Sequence, residues 1–136
     1  MLNRKINRLY HLLITEKVAF EQVACQIKNN DMRHTVLSLA QQNNQYATEL
    51  SSYMQSVRTP VSISGKSKGH EENILPGENG ILAFCASNEQ KLVIAYRKIL
   101  KESLGYESLK KMLAYQLDGI LSASKQLKLL TSLMPL

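Results

Sequence analysis

The 136-residue chain has no tryptophan, two phenylalanines, three prolines, six glycines and two cysteines. So few aromatics and turn formers argue against an all-β domain, which needs β-branched and aromatic strands broken by frequent turns. Cys25 and Cys85 lie far apart and belong to no CxxC or Cys/His cluster. That argues against a disulfide framework or structural zinc site, and for two small core or near-core thiols in a reducing compartment. No run approaches the ~20 apolar residues of a membrane span. The opening Met1-Leu2-Asn3-Arg4-Lys5-Ile6 is charged, and the apolar stretch from Tyr10 to Ile14 is short and interrupted by His11. No secretory core is read there, and a cytoplasmic protein with no membrane partner is expected. A P-loop, a GxGxxG fingerprint, a nucleophile elbow and an HExxH motif are all missing.

What is present is a helix-forming composition rich in Leu, Ala, Gln, Lys and Ser, with 44% hydrophobic and 21% charged residues. Those proportions suit one globular domain, 1–136, with a core of its own. Apolar residues recur at helical spacing in four segments. The first, about 3–28, starts at Asn3 as N-cap and carries Ile6, Leu9, Leu13, Phe20, Val23 and Ile27. Asn29-Asn30-Asp31 breaks it, with Asn30 or Asp31 as the next cap. The second, about 31–57, carries Met32, Val36, Leu39, Tyr46, Leu50, Tyr53 and Val57. The third, about 80–103, carries Ile81, Cys85, Leu92, Tyr96 and Ile99, and Gly105 stops it. The fourth, about 106–132, carries Leu109, Leu113, Ile120, Ala123, Leu127 and Leu130.

Breaks this short between long helices imply two antiparallel hairpins. Between them, residues 58–79 hold Pro60, Gly65, Gly69, Pro76 and Gly77 and read as a connection. About 22 extended residues reach ~70 Å, more than the ~39 Å of a 26-residue helix, so the connection can cross the whole bundle. The expected fold is all-α: a ferritin-like four-helix bundle of two antiparallel hairpins joined by a long crossover.

The formal net charge is +6. Arg97, Lys98, Lys101, Lys110 and Lys111 gather around the third turn, interrupted by Glu102 and Glu107, while Arg4, Lys5 and Arg8 are read as lying elsewhere. With no aromatic interleaving and no nucleic-acid motif, these are read as solvated helix faces and nucleic acid is not an expected partner.

Each apolar stripe is interrupted by a polar residue. Glu16 falls three after Leu13 and four before Phe20, Asn43 lies between Leu39 and Tyr46, and Glu49 sits at the edge of that face. Glu89 falls four after Cys85 and three before Leu92, and Gln116 stands between Leu113 and Ile120. Hairpins pivoting near Asn30 and Gly105 would bring these residues to mid-bundle. Buried carboxylates need a partner or a cation. Carboxylate-bridged di-metal bundles use one Glu from each of two helices and a Glu-x-x-His pair from each of the others. Glu16 and Glu89 suit the single-Glu roles, and Glu49 and Gln116 complete the candidate metal ligands. No Glu-x-x-His pair exists: His34 is too early in the second helix, the fourth helix has no histidine, and His11 and His70 lie in the first helix and the connection. The alternative is that Tyr46, Tyr96 or Tyr115, or Asn, Gln or Lys neighbours, satisfy the two glutamates by hydrogen bonds, or that the glutamates lean out to solvent.

The segment Leu39-Ala40-Gln41-Gln42-Asn43-Asn44-Gln45-Tyr46-Ala47-Thr48-Glu49-Leu50 resembles the second helix of a family of uncharacterised bacterial ferritin-like four-helix proteins. Ile6 to Phe20, with Thr15-Glu16-Lys17, looks like its first helix. Cys85 to Leu100, with Glu89 and Ala95-Tyr96-Arg97, is similar to its third, and Tyr115-Gln116 through Leu130 to its fourth. The resemblance implies a ferritin-like bundle, plausible as a dimer, with no established activity. The chain departs from the family pattern at Ser124, where relatives often carry histidine, and at Ala86 and Ser87, where they are more acidic. Both departures remove potential ligands.

The expected function is therefore non-catalytic, through helix-face association as a homodimer, with no cofactor. The alternative is a di-iron or manganese carboxylate oxidase or iron-handling protein, with Glu16, Glu49, Glu89 and Gln116 around the metal.

Overall fold

The computed structural model describes residues 2–56, 77–102 and 105–133, with side chains for 4–56, 80–102 and 105–132. Four α-helices make up its regular structure: α1 (Leu2–Ala24), α2 (Asn30–Ser56), α3 (Gly77–Glu102) and α4 (Glu107–Leu133). There is no strand among the described residues. No helix is long and apolar enough to cross a membrane.

The helix ends differ from the sequence reading in ways that local hydrogen bonding explains. The first helix stops at Ala24, not Lys28, because the chain tightens there: the Gln26 and Ile27 amides donate to the Val23 and Ala24 carbonyls at 3.0 and 3.1 Å. Ile27 nevertheless remains buried. The cap of α2 is Asn29 rather than Asn30 or Asp31, since its Oδ1 accepts from the Met32 amide at 3.0 Å. Asn3 lies inside α1, which begins one residue earlier. The third helix starts at Gly77, so the last three residues assigned to the connection are helical; residues 57–76 lie outside the described residues. Gly105, at φ 96°, takes the left-handed conformation that ends a helix and that residues with a Cβ avoid.

Of the predicted stripe residues, Tyr53 and Leu130 are half-buried, Val57 is not described, and the rest are buried. Cys85 is buried, but Cys25 falls in the turn after α1 and is exposed, which corrects its near-core assignment. His34 is exposed, while His11 is half-buried edge-on to Tyr10.

Helix α1 packs against α2 and α3, and α4 against α2 and α3. The core falls into two clusters at opposite ends of the bundle. One joins Ile6, Leu9 and Leu13 to Leu50 and Met54, to Leu92, Tyr96 and Ile99, and to Leu109 and Leu113. The other joins Phe20 and Val23 to Met32 and Val36, Ile81 and Cys85, and Ala123 and Leu127. The start of α1 thus meets the end of α3, and Lys5 pairs with Glu102 there. Lys5 and Arg8 lie beside Lys98 and Lys101, not apart from them.

Candidate functional site

Between the two apolar clusters lies a layer of buried polar side chains: Glu16, Asn43, Asn88, Glu89 and Gln116. Helical periodicity puts them there. Each sits three or four residues from a core neighbour on both sides, so it has no outward face to occupy. Glu89 is fully buried, and Glu16 keeps only 5% of its surface exposed.

The four predicted ligands differ in their hydrogen bonding. Gln116 and Glu49 are satisfied on the α2–α3–α4 side. The Tyr96 hydroxyl donates to Gln116 Oε1 at 2.6 Å. Gln116 Nε2 donates to Glu49 Oε1 at 2.9 Å and to the Tyr46 carbonyl at 3.3 Å. Gln45 Nε2 donates to the other Glu49 oxygen at 3.3 Å. Burial, with the charges around Tyr46, Glu49 and Glu89, raises the Tyr96 pKa further, which keeps the phenol a donor.

Other polar atoms of the layer are unsatisfied. Both Glu89 oxygens, Glu16 Oε2 and both amide atoms of Asn43 are buried without a hydrogen-bond partner among the described residues. Burial first, then the Glu16 charge, pushes the Glu89 pKa up to about 8. Burial pushes Glu16 up to about 7 against the lowering pull of Lys91. Cys85, one turn before Glu89, is pushed up to about 12 by burial, Glu89 and Glu16, and is no nucleophile at neutral pH. Two carboxyls that repel each other in a poorly solvated layer retain protons that free carboxyls have lost.

None of the tyrosines serves the glutamates. Tyr96 is committed to Gln116. Tyr115 is exposed and meets Tyr46 edge-on, with ring centroids 6.2 Å apart. Tyr46 is buried with its hydroxyl against Gly119. A Cβ on Gly119 would lie 1.9 Å from that oxygen and 3.2 Å from Gln42 Nε2.

These contacts decide what the layer can hold. Where a di-metal bundle carries Glu-x-x-His, α2 has Asn43-x-x-Tyr46 and α4 has Gln116-x-x-Gly119. Neither pair offers a carboxylate or an imidazole, and the Tyr46 phenol fills the space beside Gly119. No group of three or more His, Cys, Asp or Glu side chains able to hold a metal ion is found among the described residues. A dinuclear centre does not fit this donor set.

Asn88 and the Tyr46–Gly119 contact were missed in the sequence. Asn88 follows Cys85 by three and precedes Leu92 by four, the spacing that marks Glu16, so the same rule finds it. The signal for Gly119 is a lone glycine inside a helical pattern, which implies a close approach. Compared with known proteins, the chain matches no protein-family model and no curated protein.

Proposed function

We propose that the chain is a ferritin-like four-helix bundle that acts without catalysis, by self-association, its centre closed as a packed polar layer. The ferritin-like reading is supported by the order of contacts. The end of α2 lies in one apolar cluster and the start of α3 in the other. The end of α2 and the start of α3 thus lie at opposite ends of the bundle, the separation that a long crossover spans.

One observation carries the association. Tyr115 and Leu129 are exposed large apolar side chains on α4, each seven residues from the exposed Ser122. Seven residues return to nearly the same helix face. A two-fold axis through Ser122 would set Tyr115 of each copy against Leu129 of the other, the self-complementary pattern of a dimer. Sedimentation velocity tests it: a concentration-dependent dimer is expected, lost when Tyr115 and Leu129 are both changed to Lys. A monomer at every concentration contradicts it.

A second reading is favoured by the orphaned oxygens of Glu16 and Glu89. A single iron or manganese ion between these carboxylates, with the Asn43 amide oxygen, would supply their missing partner. It predicts stoichiometric metal in protein purified without chelator, lost in Glu16→Ala and Glu89→Ala. Metal-free protein that takes up none on titration sinks it.

A further inference from the structure

Along the seam between the start of α1 and the end of α3 runs a groove of about 440 Å³. Small-molecule sites occupy about 300–1,000 Å³. Its floor is aliphatic: Leu9 and Leu12 from α1, Ala95 and Ile99 from α3. Its rim is cationic: Lys5 and Arg8 on one helix, Lys98 and Lys101 on the other, with Glu102 the one carboxylate. Glu102 is engaged by Lys5, and no other described carboxylate forms an ion pair with the three remaining cations.

Helix stability accounts for only half of this charge. Cations near the end of α3 complement its dipole, but Lys5 and Arg8 stand in the first turns of α1, where the dipole disfavours them. The first turn of α1 has no acidic residue to offset them. With Lys5 held by Glu102, the three remaining cations across the apolar floor leave an excess of positive charge that favours an anion.

We propose that this groove binds an amphiphilic anion: an unbranched aliphatic chain ending in a carboxylate. The tail lies on Leu9, Leu12, Ala95 and Ile99, and the head is held by Arg8 and Lys98 at the rim. From Lys5 to Leu12 the lining covers roughly 10 Å of helix axis; from the head at Arg8 roughly 6 Å of it runs to Leu12, enough for about five carbons, and the rest of a longer tail extends past it. Apolar burial supplies affinity, and the rim selects the charged head over a neutral one.

Isothermal titration calorimetry of the full chain with sodium decanoate, below its micellar concentration, tests this. One decanoate per chain is expected, at least about tenfold tighter than 1-decanol. Acetate, which lacks the tail, should give no saturable heat. Changing Arg8 and Lys98 together to Ala should weaken decanoate at least about tenfold, with an unchanged unfolding temperature because both side chains are exposed. No saturable decanoate binding overturns the proposal, as does equal affinity for decanoate and decanol, or binding indifferent to the double change. Binding to anionic vesicles or to an acidic helical peptide without decanoate binding overturns it too, because it would reduce the groove to a surface patch.

Discussion

The Tyr46 hydroxyl of α2 occupies the place a side chain at position 119 of α4 would take, 1.9 Å from the Cβ that Gly119 lacks. Alanine in a helix interior is worth about 1 kcal/mol over glycine, so a loss of stability in Gly119→Ala can come only from this collision. The ring is buried, so moving it clear disturbs its packing. Gly119→Ala is expected to lose about 1–2 kcal/mol by urea unfolding, the usual cost of overpacking. Adding Tyr46→Phe, which removes the oxygen, should recover most of it. A stabilised single variant would mean that α2 and α4 are further apart than described.

Tyr96 and Gln116 make the next prediction. Their 2.6 Å hydrogen bond joins α3 to α4 where both side chains are fully buried. Tyr96→Phe leaves the Gln116 carbonyl without its donor and is expected to cost about 1–3 kcal/mol. Combining it with Gln116→Leu frees Glu49 of a donor as well, so the two losses should not add. Strict additivity in the double-mutant cycle would show the network to be uncoupled.

The glutamate pair sets a pH dependence of definite sign. Folded Glu16 and Glu89 hold protons up to about 7 and about 8, against 4.5 for an ordinary carboxyl. Below the ordinary value both states are protonated and stability is complete. As pH rises past it, the unfolded chain ionises first and stability falls, until the folded carboxyls ionise too. Unfolding temperature should therefore drop from pH 5 to pH 8, apart from other groups. Glu16→Gln with Glu89→Gln should flatten this slope and raise stability at pH 8. A steeper fall in the double variant would show that the charged forms are paired in the fold.

The thiols should behave oppositely. Cys25 is exposed, whereas Cys85 is buried with its pKa pushed up to about 12. In native protein at pH 8 a disulfide reagent should modify Cys25 alone, and Cys85 only after unfolding. Fast modification of both would mean that the layer opens readily.

Helices and core were legible because period-3.6 patterning is local: the stripes of α1, α3 and most of α2 and α4 are the buried faces. Burial of Glu16, Asn43, Glu89 and Gln116 followed from the same rule. What the pattern could not give was partnership. Periodicity assigns a face, not a neighbour, so Gln116 seemed as free as Glu89 although it is bound on three sides. Lys5 and Lys98 are distant in sequence, and only packing of α1 on α3 brings the groove cations together. The early end of α1 rests on a tightened last turn that has no residue signature.

The most direct test of a closed, proton-holding centre is a carbon-13 titration of the Glu16 and Glu89 carboxyls in chelator-treated protein, assigned by the two Gln variants. Midpoints near 7 and 8 are expected. Ordinary midpoints near 4.5 for both would contradict a buried pair and put the two carboxylates in contact with solvent or a fixed cation.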